Sequence, residues 1–162
     1  MDLPRYRAAV AENRREHGFD AVDGPTGEFD PVWVTRGDDD SIGAVAVLAT
    51  LVADPEPAPE SLVRTGEAFR DVLVDRTDAA PERADGGESH TSIGYVTLAV
   101  PDPDPSLLDA MSGFTVARRR TCVFPLVYDL AAERLHRHEV PRLKGRGIYR
   151  RQADDAERLF GV

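Results

Sequence analysis

Ten basic side chains crowd residues 113–151: Arg118, Arg119, Arg120, Arg134, Arg137, Arg142, Lys144, Arg146, Arg150 and Arg151. Only Asp129, Glu133 and Glu139 oppose them, so the segment carries +7 within a chain whose net charge is −9. A guanidinium forks onto the paired oxygens of phosphate or carboxylate. A cationic run in an acidic chain therefore suits an anionic partner: phosphate, nucleotide, nucleic acid or an acidic protein. Lys144-Gly145-Arg146-Gly147 sets glycines beside charge, which lets a backbone approach a phosphate closely. The candidate anion-binding set is Arg118, Arg119, Arg120, Arg142, Lys144, Arg146, Arg150 and Arg151. The opposing reading is that these groups neutralise the protein's own acidic surface.

The remaining constellations are weaker. On a strand, His136 and His138 would share a face, and two imidazoles can share a metal. A site wants three or four ligands, and neither Asp129 nor His90 is selected by spacing, so no metal is expected. A polar edge strand that resists aggregation accounts for the pair equally well. Cys122 could act as a nucleophile with His90 or His136 as its base. Its setting, Thr121-Cys122-Val123-Phe124, is that of a core strand, where cysteine behaves as a small hydrophobe. Ser89-His90 follows Gly86-Gly87 without the nucleophile elbow of a hydrolase. Asp38-Asp39-Asp40 lacks calcium-loop spacing. Walker, Rossmann and CxxC patterns are absent, so no catalytic residue is assigned and no cofactor is expected.

The chain that must position these groups has 162 residues, enough for one domain with a proper core. It contains no apolar run of the roughly 18–20 residues that a membrane-spanning helix requires. Its start, MDLPRYRAAV, lacks the apolar centre of a secretory signal, and a single cysteine suits a reducing compartment, so a cytoplasmic location is expected. Acidic residues number 29 against 20 basic ones, and Lys144 is the sole lysine. This composition resembles that of haloarchaeal cytoplasmic proteins, whose self-repulsion concentrated salt would screen. Codon bias in a high-GC organism is the competing explanation.

Asp2 can cap a first helix that tolerates Pro4 in its first turn, buries Leu3, Tyr6 and Val10, and stops near Gly18. Asp20–Asp30 reads as loop. A strand follows at Val32–Val34, then a hairpin connection at Gly37–Asp40. Ile42–Val52, Ile93–Val100 and Cys122–Tyr128 are continuous apolar runs, which marks central strands covered on both faces. A helix from about Glu60 to Asp75 places Leu62, Phe69, Val72 and Leu73 inward, and Leu107–Met111 is a shorter one. Residues 77–90 read as a mobile loop, Phe114–Ala117 and Leu135–Val140 as further strands, 142–151 as basic loop, and Ala153–Phe160 as a last helix with Asp154 and Asp155 in its first turn. Two Asp-Pro corners, at Asp54-Pro55 and Asp102-Pro103, each lead to a helix with a serine at its start; convergent turn chemistry explains them.

The fold class expected is a single α+β domain with an about five-stranded, largely antiparallel sheet, in the order α-β-β-α-β-α-β-β-α. That order resembles roadblock, longin and profilin-like domains, mostly binding and adaptor modules, although element order alone supplies no function. The expected function is a non-enzymatic binding or adaptor module meeting an anionic partner through its basic C-terminal segment. A small enzyme acting on a phosphorylated or nucleotide substrate is the first alternative, and a structural subunit of an oligomer the second. A homo-oligomer is compatible with either, and no membrane partner is expected.

Overall fold

A computed structural model describes residues 1–53, 57–78, 91–118, 120–141 and 146–162; at Thr77, Asp78, Arg118 and Arg146 only the backbone is described. Helix α1 spans Leu3–Glu16, with the Asp2 carboxylate accepting from the Arg5 N–H at 2.8 Å. Strands β1 (Asp20–Ala21), β2 (Val32–Asp39) and β3 (Gly43–Ala53) precede α2 (Pro59–Asp78), β4 (Thr91–Val100) and α3 (Pro105–Gly113). Strands β5 (Val116–Arg118), β6 (Thr121–Asp129) and β7 (Arg134–His136) lead to α4 (Arg146–Phe160).

The α+β class holds, and the three long apolar runs are the central strands. Their direction differs from expectation. The sheet has seven strands among the described residues, ordered β1-β2-β3-β4-β6-β5 with β7 also on β6. It is mixed: β3 pairs with β4, and β4 with β6, in parallel. A parallel neighbour requires a crossover, and α2 and α3 supply the helical parts of the two crossovers. Side chains alternate between two cores. Val45, Val47, Ala49, Ile93, Tyr95, Phe124 and Leu126 meet α1 and α4 on one face. Ala46, Leu48, Val96 and Val123 meet α2 on the other, where Leu98, Val100 and Val127 extend the packing to α3. Burial on both faces removes the polar alternation of a half-exposed strand, which is why these runs read as apolar throughout.

Four boundaries also move. Asp20–Ala21, expected as loop, pairs with β2, and β2 runs on to Asp39, so the hairpin turn falls at residues 40–42. The Asp39 carboxylate accepts from the Ser41 and Ile42 N–H groups, and Gly43 (φ 83°) takes the left-handed position that ends the turn. The strand expected over Leu135–Val140 stops at His136. Beyond it, the buried Gln152 amide replaces a strand neighbour: its Oε1 accepts from the His138 N–H at 3.1 Å and its Nε2 donates to the His138 carbonyl at 3.2 Å. Finally, α4 begins at Arg146, so Gly147–Arg151 are helical rather than loop, and Asp154 and Asp155 lie in mid-helix. The loop expected over residues 77–90 falls largely outside the described residues, α2 continuing to Asp78.

Candidate functional site at the basic end of the sheet

The register of the parallel strands brings together residues far apart in sequence. Asp39 pairs with Gly43, Val45 with Thr91, Ser92 with Thr121, and Thr121 with Arg118. The β2–β3 turn, the starts of β4 and β6, and the β5–β6 connection therefore share one end of the sheet. Helix α4 starts there too: a Cβ on Gly147 would lie 3.5 Å from Ser41 Cβ and 3.6 Å from Ile42 Cγ2. Arg118 and Arg120, at the β5–β6 connection, thus occupy the same end as the Arg146–Arg151 turn of α4. Arg120 and Arg150 are exposed. Arg119, Arg142 and Lys144 lie outside the described residues.

Arg151 is committed to the protein itself. Its Nη1 donates to Asp39 Oδ2 at 3.0 Å and its Nε to Asp155 Oδ2 at 2.7 Å. Burial alone would lower its pKa, but these two carboxylates raise it above the ordinary arginine value. Asp155 is 2 % exposed and gathers further donors, Arg158 Nη2 at 2.7 Å and the Tyr95 hydroxyl at 2.8 Å. Burial, reinforced by Asp155, holds the Tyr95 phenol well above its usual range. Asp39 is held below the usual carboxylate range: burial opposes this, but the Ser41 N–H, the Arg151 guanidinium and the Ile42 N–H outweigh it. For Arg151, the counter-charge reading is the correct one.

The histidines separate rather than cooperate. His136, on β7, pairs with Val127, six residues along β6 from Thr121, so about 20 Å from the basic end at the rise of a strand. His138 lies past the end of β7 and is buried, its ring packed edge-on to Phe124 and its Nε2 2.5 Å from the Phe114 carbonyl. Burial lowers its pKa, partly offset by that carbonyl. The expected shared face of a strand is therefore not formed, because Gln152 captures the backbone of His138. Asp129 spends its carboxylate on the N–H groups of Asp102, Ala131 and Ala132. Cys122 is buried in β6, and burial pushes its thiol up to about 12, which keeps it a thiol at neutral pH. His90 lies outside the described residues.

Two buried polar groups escaped the sequence reading. Asp155 lies in mid-helix and not in a first turn, because the basic segment before it is helical. Arg14 was counted only as charge, although it falls eight residues after Tyr6 and four after Val10, on the stripe that α1 buries. Compared with known proteins, the sequence matches no family model and no curated protein.

Proposed function

We propose that this domain is a non-enzymatic binding module that meets an anionic partner through the basic end of its sheet. The observation that supports the reading is that the β5–β6 connection, with Arg118 and Arg120, and the start of α4 lie at one end of the sheet. Arg120 and Arg150 present exposed side chains there, and Arg142, Lys144 and Arg146 belong to the chain that enters α4. Arg151 takes a positioning part: its ion pairs with Asp39 and Asp155 tie the first turns of α4 to the β2–β3 turn. Guanidinium forks onto phosphate or carboxylate suit such a surface, because fixed hydrogen-bond geometry outlasts the screening that abolishes diffuse attraction.

An enzyme acting on phosphorylated substrates would need an acid or base beside these arginines. Among the described residues that sequence reading offered as a base or nucleophile, His136 stands toward the other end of β6, and His138 and Cys122 are shut in the core, which favours binding over catalysis. The test replaces Lys144 and Arg146 by alanine and measures retention on nucleic acid, nucleotide and phosphopeptide ligands at molar salt. Arg5→Ala with Arg15→Ala, exposed on α1, serves as a charge-matched control. At least tenfold weaker retention in the first pair alone is expected. If the wild type retains none of these ligands, or both pairs behave alike, the basic end is only counter-charge.

A further inference from the structure

The outer edge of the sheet is formed by β2, and β1 covers only part of it. Asp20 and Ala21 pair with Val34 and Trp33, and the Val22 N–H donates to the Val32 carbonyl at 2.8 Å. That bond shows Val32 turning its backbone groups outward. Along an antiparallel strand Val34, Arg36 and Asp38 then do the same, while Trp33, Thr35, Gly37 and Asp39 bond to β3. Beyond Val34 no strand pairs with this edge among the described residues. Arg36, Gly37 and Asp38 are exposed there.

Side chains alternate as well. Asp39 points to the α4 face, where it meets Arg151, and Arg36 and Asp38 point to the opposite face with Val32 and Val34. Neither the Arg36 nor the Asp38 side chain has a hydrogen bond or ion pair among the described residues. An open edge is a template for another strand, and charges of one sign along it repel a second copy. Here one positive and one negative group flank Gly37, and that order is complementary to itself. An antiparallel copy centred on Gly37 sets Arg36 against the second copy's Asp38, and Asp38 against its Arg36. The backbone agrees with the charges: both residues present outward groups, so each opposed pair exchanges two hydrogen bonds. Moving the second copy by two residues opposes Arg36 to Arg36 or Asp38 to Asp38, which is repulsive. Moving it by one residue opposes outward groups to inward ones, and no ladder forms.

We propose that this edge pairs with the same edge of a second copy of the chain, residues 36–38 forming an antiparallel, two-fold contact that joins the two sheets through β2. The contact is short, because β1 fills the edge beside Val32–Val34 and the turn at residues 40–42 curls back toward β3. So short a ladder makes a reversible dimer, populated as protein concentration rises. The proposal does not depend on the reading of the basic end.

The test is sedimentation velocity of the full-length protein over a concentration series. A fixed, moderate salt concentration screens the net charge of −9 on each copy and spares contact pairs. A reversible monomer–dimer equilibrium is expected. The two-fold repeats every contact, so Arg36→Asp opposes carboxylates twice and Asp38→Arg opposes guanidiniums twice. Each single variant should dimerise at least tenfold more weakly than wild type. An equimolar mixture of the two single variants restores opposite charges across the contact and should dimerise within threefold of wild type. Restoration by mixing also shows that both variants are folded. Wild type that stays monomeric throughout, single variants that dimerise like wild type, or a mixture no stronger than its components would each overturn the proposal.

Discussion

Replacing Asp155 by asparagine is the sharpest probe of how α4 is held. The wild-type carboxylate is 2 % exposed and accepts from Tyr95 Oη (2.8 Å), Arg151 Nε (2.7 Å) and Arg158 Nη2 (2.7 Å). Asparagine keeps the shape, but removes the charge and turns one acceptor into a donor that faces donors. Breaking a buried ion pair from one side costs about 3–5 kcal/mol. Two features lower the figure here. Arg158 is 48 % exposed and returns to water at little cost. Arg151, 18 % exposed, keeps Asp39. The expected loss is therefore about 3 kcal/mol, from the low end of that range. A domain of this length shifts by about 2–4 °C per kcal/mol, so Tm should fall by about 6–12 °C. Tyr95→Phe removes one donor to a charged acceptor and should cost about 1.5 kcal/mol. The double variant should lose less than the sum, since both act through Asp155. Thermal melts by circular dichroism at fixed salt read all three. An Asp155→Asn melt within about 3 °C of wild type, roughly 1 kcal/mol, would show that the network contributes nothing net and would sink the reasoning.

Three further outcomes are expected. Burial holds His138 below its usual value of about 6.5, so as pH falls through that value the unfolded chain binds the proton first and stability is lost. His138→Phe should flatten Tm against pH between 7 and 5.5, while the loss below about pH 4, where Asp39 and Asp129 surrender their depressed pKa values, remains; an unchanged slope would refute the assignment. Cys122 should react with a thiol reagent at pH 8 only as fast as the protein opens, so rapid stoichiometric labelling of native protein would contradict its burial. Stability should rise steeply with KCl, because the 23 acidic against nine basic groups of residues 1–112 repel one another until a Debye length of about 3 Å at 1 M quenches them. A Tm indifferent to molar salt would favour codon bias as the origin of the composition.

Local signals placed most elements. The Asp2 cap with Pro4, the stripe of α2 and the β-branched runs of β3, β4 and β6 each have a short-range physical cause, and each appears where that cause puts it. Periodicity and composition can be read along a chain because they concern neighbours. Strand direction cannot, since the same buried valine-rich run serves a parallel or an antiparallel sheet; here α2 and α3 carry the chain back across the sheet, and that decided it. The same limit governs the polar groups. The charge asymmetry of residues 113–151 was visible, but strand register together with the packing of Gly147 on the β2–β3 turn joined Arg118 and Arg120 to the start of α4, and a carboxylate 112 residues away claimed Arg151. His138 read as an exposed partner of His136 until Gln152, fourteen residues on, turned its backbone into the core. Arg14 carries no sign of its burial beyond helical spacing from Tyr6 and Val10, and it is a buried cation because Phe160 and the Leu159 carbonyl close over it from the far end of the chain. Helices and strands are properties of adjacent residues, whereas a site is made by residues that only packing brings within hydrogen-bond distance.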